Sequence, residues 1–168
     1  MLTIFNDLKP FFEDNYRRIN VREYARIRNI TPPTASKLLS MMEKEGLLKR
    51  EKDRKYIFYQ ANKKNRLFVS LSRIYWQITL EELIEYFNSE LLEPVVILFG
   101  SFSKAEINKN SDIDIALFTH TNKKLTLKRL EKKYKRSIQI FQFKNRKDIK
   151  NKDLLENILN GHILTGSW

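Results

Sequence analysis

The sequence predicts an α+β chain in two parts: a helical part closed by a basic hairpin, then a mixed β-sheet with flanking helices. Three observations predict it. Apolar residues recur at helical spacing in three short segments of the first half, and two strand-like runs then flank the basic turn Lys52-Asp53-Arg54-Lys55. Val95-Val96-Ile97-Leu98-Phe99 is a fully apolar run of buried-strand length that stops at Gly100-Ser101. After ten intervening residues a second strand begins, Asp112-Ile113-Asp114-Ile115-Ala116-Leu117-Phe118.

Composition bounds the reading. The 168 residues are 42% hydrophobic and 31% charged, which excludes a disordered tail and fits one domain or two small ones. The chain has no cysteine, so disulfides, thiolate zinc sites and cysteine nucleophiles are excluded, and two histidines cannot build a His-rich metal site. Acids interrupt the apolar start MLTIFNDLKPFFED, so it reads as neither a signal peptide nor a membrane span, and a cytoplasmic location is expected.

Ile4, Phe5, Leu8, Phe11 and Phe12 predict an opening helix over roughly residues 3–14. A second helix is predicted for VREYARIR, with Val21, Tyr24 and Ala25 on one face. Thr31 is placed to cap a third helix, and Pro32 suits its first position because the missing N–H would be unpaired there. Ala35, Leu38, Leu39 and Met42 form its inner face, leaving Thr34, Ser36 and Lys37 outward, and Gly46 offers a left-handed stop. Two helices joined by a tight turn, the second with small polar residues at its exposed start, suit major-groove reading. Arg54 and Lys55 would lie on the wing made by the following hairpin.

The net charge of +12 is uneven: residues 1–78 carry +9 and residues 79–168 carry +3. A basic first half points to a nucleic-acid partner through phosphate neutralisation, while a Lys- and Asn-rich coding bias would give the same excess without one. The order of elements, with Val21–Arg28, Ile30–Thr31, Ala35–Leu39 and Glu45–Arg50, resembles winged helix-turn-helix regulators over residues 1–60. Thr34, Ser36, Lys37, Arg54 and Lys55 are the expected DNA contacts. The alternative is a protein-docking module, and a homodimer is expected because two-fold DNA sites favour one.

Residues 61–92 lack Pro and Gly, and their apolar spacing predicts two consecutive helices breaking near Ile78-Thr79, with Thr79 capping the second. The predicted organisation is therefore 1–60, a helical connector 61–78, and a second domain 79–168.

In that second domain, carboxylates at i and i+2 on a strand share a face about 6–7 Å apart, an arrangement that is unfavourable unless a cation lies between them. Hard oxygen donors without His or Cys suit Mg²⁺ (or Mn²⁺), with Asp112 and Asp114 as ligands. Gly100, lacking a Cβ, lets a triphosphate approach the backbone, and the Ser101 hydroxyl can donate to a phosphate oxygen. Gly100-Ser101, Glu106 and Ser111-Asp112-Ile113-Asp114 together resemble the signature of the DNA polymerase beta-type nucleotidyltransferases, most closely the minimal nucleotidyltransferases. The resemblance covers residues 80–168, because LLENILNGHILTG is similar to the family's closing helix and short strand. It implies a nucleotidyltransferase fold in which Asp112 and Asp114 hold Mg²⁺ and a nucleoside triphosphate, ATP foremost, and Ser111 orients the carboxylate loop.

Two residues depart from the family pattern. Ala105 stands where the family has Gly, and Gln139, on the strand candidate Ser137–Phe143, stands where its third carboxylate falls. An amide carries no charge and takes no proton. Glu131 and Asp148 are the nearest other acids in the sequence. Between the strands, residues 123–136 hold eight basic side chains and one acid, predicting a helix that is either a solvated face or a second polyanion contact. The resemblance implies transfer of a nucleoside monophosphate to a protein or nucleic-acid hydroxyl, and an antitoxin role beside a small helical HEPN-type partner. The other reading, favoured by Gln139, is a DNA-binding regulator whose second domain senses nucleotide or binds a partner without catalysis. A third is an RNA-modifying transferase using the first domain to hold RNA.

Overall fold

The computed structural model describes residues 2–167, which fall into two compact units. The first comprises the chain up to Ser72 together with Ala105–Lys109, and the second comprises Arg73–Lys104 and the chain from Asn110 onward.

The first unit runs α1 (Thr3–Glu13), β1 (Ile19–Asn20), α2 (Val21–Arg28), α3 (Pro32–Lys44), β2 (Leu48–Asp53) and β3 (Tyr56–Ala61). Its small sheet is antiparallel in the order β1-β3-β2. Phe5, Leu8, Phe11 and Phe12 of α1 are buried, as are Tyr24, Ala35, Leu39, Met42, Tyr59 and Phe68, so the amphipathic faces read from the sequence form the core. Phe11 stacks on Tyr24 at 6.1 Å, and the Tyr24 hydroxyl donates to the Asp7 carbonyl at 2.9 Å. Burial, with the Asp7 charge beside it, pushes that phenol up to about 12. The Asn20 side chain caps α2 by accepting from the Glu23 N–H, and Asn29 ends it in the left-handed conformation. Thr31 precedes α3 but does not cap it, because its hydroxyl bonds instead to the Thr34 hydroxyl. Gly46 (φ 71) supplies the expected left-handed stop, its N–H donating to Glu43. Within the same unit the Ile107 N–H and C=O are both engaged by the fully buried Asn15, at 2.7 and 2.8 Å.

Helix α4 (Arg66–Thr79) spans the division between the units, and α5 (Glu81–Glu90) follows. Thr79 does not cap α5: it is the last residue of α4, and its hydroxyl donates to the Tyr75 carbonyl one turn back. The second unit then runs β4 (Val95–Phe99), α6 (Gly100–Lys104), β5 (Ile113–Phe118), α7 (Lys128–Tyr134), β6 (Ile138–Phe143), a 3₁₀ turn (Arg146–Asp148), α8 (Lys152–Leu159) and β7 (His162–Thr165). Its four-stranded sheet has the order β6-β5-β4-β7, with β5 and β6 parallel and the other pairs antiparallel. A parallel neighbour needs a crossover, and the segment holding α7 supplies it. The helix is shorter than expected, since residues 123–127 lie outside it. Alternation divides the sheet. Val95, Ile97, Phe99, Ala116 and Phe118 pack with Phe141, Phe143, Ile149, Leu154 and Ile158 on one face, and Val96, Leu98, Ile113, Ile115 and Leu117 are buried on the other. Among the described residues no helix is long and apolar enough to cross a membrane.

Candidate functional site

Asp114 lies in β5, on the same sheet face as Phe99 and Gln139, and Asp112, expected to open the strand, immediately precedes it. Register places Asp114 opposite Phe99 of β4 and beside Gln139 of β6. Both carboxylates are half-buried. Partial burial, and then the Asp112 charge, raise the Asp114 carboxyl above its ordinary range. The pair is therefore frustrated by itself, a condition that a shared cation relieves.

Gly100 shows why this position in the signature is glycine. Its φ is +66, and a Cβ added there would fall deep inside contact with Asp114 Oδ2 and 3.2 Å from the Asp114 Cγ. The absent side chain is thus the space in which the Asp114 carboxylate lies. Ser101 follows at the start of α6, half-buried. The Ser103 hydroxyl donates to the Gly100 carbonyl at 3.0 Å, and Arg73 Nε donates to the Ser103 carbonyl at 2.8 Å, so the turn after β4 is held from both sides.

Across the sheet, Gln139 Nε2 donates to Asp112 Oδ2 at 2.6 Å. The neutral amide lies against the first carboxylate, at the place the sequence reading gave it, where the family pattern has a third acid. Neither alternative acid substitutes for it. Glu131 accepts from the Ile138 N–H at 3.0 Å, and Asp148 closes a capping box with Asn145. Among the described residues no three of His, Asp or Glu gather into one metal-binding group. Two carboxylates nonetheless fit a hard divalent ion, which completes its shell with water and phosphate.

Ser111 is half-buried, and its carbonyl accepts from Arg136 Nη1 at 2.7 Å, a contact between distant positions that sequence reasoning missed. Ala105, at the position that carries Gly in the family pattern, is buried and left-handed, with φ 52. Three of the eight basic residues in 123–136 form ion pairs. Lys123 pairs with Glu90, and both Lys133 and Arg129 pair with Glu82, the latter at 2.5 Å. Those three tie the crossover to α5. A cavity of about 650 Å³ lined by Val95, Phe118, Thr119 and Lys144 lies at the opposite ends of β4 and β5, away from the carboxylates.

In the first unit Thr34, Ser36 and Lys37 are exposed on α3, and Arg54 and Lys55 are exposed in the two-residue turn joining β2 to β3. Arg54 holds φ 54 there. Arg18 braces the hairpin from β1's side, pairing with Glu51 at 3.2 Å and Asp53 at 3.1 Å while its guanidinium covers the Phe58 ring.

Residues 81–167, a little over half of the chain, match the family model described as polymerase beta, nucleotidyltransferase. The chain belongs to that family, whose domains generally use a nucleoside triphosphate and a divalent metal ion. No curated protein and no solved structure matches the chain significantly.

Proposed function

We propose that the protein is a nucleotidyltransferase whose first unit is a DNA-binding winged helix. The observation that carries the catalytic reading is the Asp112–Asp114 pair, with Asp114 seated against Gly100, in a domain of the nucleotidyltransferase family. Asp112 and Asp114 would hold Mg²⁺, which supplies charge neutralisation for the triphosphate and pyrophosphate. ATP is the proposed donor. Gly100 admits the phosphates close to the backbone, the Ser101 hydroxyl donates to a phosphate oxygen, and Ser111 orients the loop carrying Asp112.

In the transfer, the acceptor hydroxyl oxygen bonds the α-phosphorus as the bond to pyrophosphate breaks. The hydroxyl proton passes to solvent, because Gln139 offers no base where the family has one. The acceptor is a hydroxyl of a protein or nucleic acid, and an antitoxin role beside a HEPN-type partner is the setting we propose. For the first unit, exposed Thr34, Ser36 and Lys37 with the turn residues Arg54 and Lys55 support groove and backbone contacts, with a homodimer matching a two-fold site.

The Gln139–Asp112 hydrogen bond favours a second reading, a regulator that binds Mg²⁺–nucleotide without transferring it. Incubation with α-labelled ATP, Mg²⁺ and candidate acceptors, comparing wild type with Asp112→Ala/Asp114→Ala, decides between them. Label transferred only by wild type supports the enzyme. Retained ATP binding without incorporation supports the regulator.

A further inference from the structure

Asp112 is reached through a segment whose first end carries Gly100 and Ser101, so the spacing of the two ends sets the geometry of the carboxylate pair. The pairing of Phe99 with Asp114 holds the base of that segment. Residues Ala105–Lys109 are grouped with the first unit, so within the second unit the ends are joined through other residues.

Arg136 reaches both ends. It follows Lys135, which closes α7 in the left-handed conformation (φ 54) and turns the chain toward β6. Its Nη1 donates to the Ser111 carbonyl at 2.7 Å, the peptide group immediately before Asp112. Its guanidinium carbon also lies 5.3 Å from the Phe102 ring centre and 5.7 Å from that of Trp76. Those two rings meet edge-on at 4.6 Å, and Phe102, next to Ser101, is fully buried. On the other side of Asp112, the Ile113 N–H donates to the Ser137 carbonyl at 2.9 Å. Arg136 and Ser137 therefore grip both peptide groups flanking Asp112, while Gln139 holds its carboxylate.

We propose that Arg136 is a positioning residue for the carboxylate pair, tying the Ser111–Asp112 peptide to the Phe102 end of the segment so that Asp112 is presented at a fixed distance from Gly100 and Ser101. An arginine suits this role because a planar guanidinium can stack on rings while donating in its own plane. A lysine can supply the donor or the contact with the ring, but holds neither in a fixed plane. The inference rests on reading Asp112 and Asp114 as the metal pair, and it deepens that reading.

The test uses the full chain with Mn²⁺ as probe, its binding followed by electron paramagnetic resonance, together with amide hydrogen exchange. Arg136→Met keeps bulk against Phe102 and Trp76 but removes the donor. We expect Mn²⁺ affinity to fall about 10-fold, and amide exchange at Asp112 and Ile113 to rise by about 10-fold. Exchange in α3 and β3 stays as in wild type, and the pH midpoint of Mn²⁺ binding does not move. Arg136→Lys falls between the two, and it alone carries the test if Arg136→Met does not fold. Wild-type affinity and exchange in the variants overturn the proposal, as does a loss of affinity explained by a moved pH midpoint, which would make Arg136 an electrostatic residue. If wild type binds no Mn²⁺, the metal reading fails separately. The exchange comparison then decides Arg136 by itself: faster exchange confined to residues 111–114 supports positioning, and unchanged exchange overturns it.

Discussion

Replacing Gly100 with alanine perturbs the site by a single carbon, and the structure fixes what that carbon meets. At φ +66 an L-residue costs about 1–2 kcal/mol relative to glycine. Reduced freedom of the unfolded chain returns about 0.4–1 kcal/mol. The new Cβ overlaps Asp114 Oδ2, so the carboxylate must leave its rotamer, at a further cost of about 0.5–1.5 kcal/mol. The sum is a net loss of about 0.5–3 kcal/mol, centred near 2, which for a chain of this length lowers Tm by about 2–4 °C per kcal/mol. Thermal unfolding of Gly100→Ala, Asp114→Ala and the double variant measures it. Because only the rotamer term depends on Asp114, the double-mutant cycle should show coupling of about 0.5–1.5 kcal/mol. Mg²⁺–nucleotide binding should weaken by about 10-fold, since a misplaced ligand costs about 1.4 kcal/mol of binding. A Gly100→Ala protein as stable as wild type, or strictly additive losses in the cycle, would refute the claim that glycine is required to house Asp114.

Other consequences follow from the same geometry. Gln139→Asp places a third carboxylate beside Asp112 and Asp114; it should lower stability in chelator and raise Mg²⁺ affinity by about 10-fold, read by thermal shift with and without the metal. For the first unit, Lys37→Ala and Arg54→Ala should each reduce the slope of log K against log salt by about 0.9 in a DNA-binding titration; an unchanged slope would remove those residues from the phosphate contacts. His162, half-buried and accompanied by Arg73, is held below its ordinary value of 6.5, so its charged form is disfavoured in the folded chain. The unfolded chain therefore binds more protons, and stability is lost as pH falls from 6.5 through the lowered value. His162→Asn should flatten Tm between about pH 7 and pH 5.

What the sequence shows plainly is what local chemistry decides. The apolar run Val95–Phe99 had no alternative to burial, and it forms the fully buried β4. Asp114 lies on the sheet face of Phe99, Asp112 just before the strand is reached by Gln139, and Gly100 stands where an added Cβ would displace Asp114. The periodic faces of α2 and α3 likewise gave the core of the first unit. The remaining features depend on partners distant in sequence. Thr31 and Thr79 have the right chemistry for caps, yet a neighbouring hydroxyl and an i−4 carbonyl took their hydrogen bonds. The eight basic residues of 123–136 looked like one cationic helix, but half the run precedes or ends the seven-residue α7, and Glu82 and Glu90 pair with three of them. Strand β1 has only two residues, too few for a period, and becomes visible only by its pairing with β3. Ala105 holds φ 52, a strained conformation for an L-residue that the sequence cannot show, two residues before Ile107, whose N–H and C=O Asn15 engages.

The central claim is that Asp112 and Asp114 form one divalent-metal site for a nucleoside triphosphate. Calorimetric titration of the full chain with Mg²⁺–ATP, in wild type and in Asp112→Asn/Asp114→Asn, tests it most directly. Binding should be saturable and Mg²⁺-dependent, abolished by chelator and lost in the double variant. Binding of equal affinity in both proteins, or none in wild type, would contradict it.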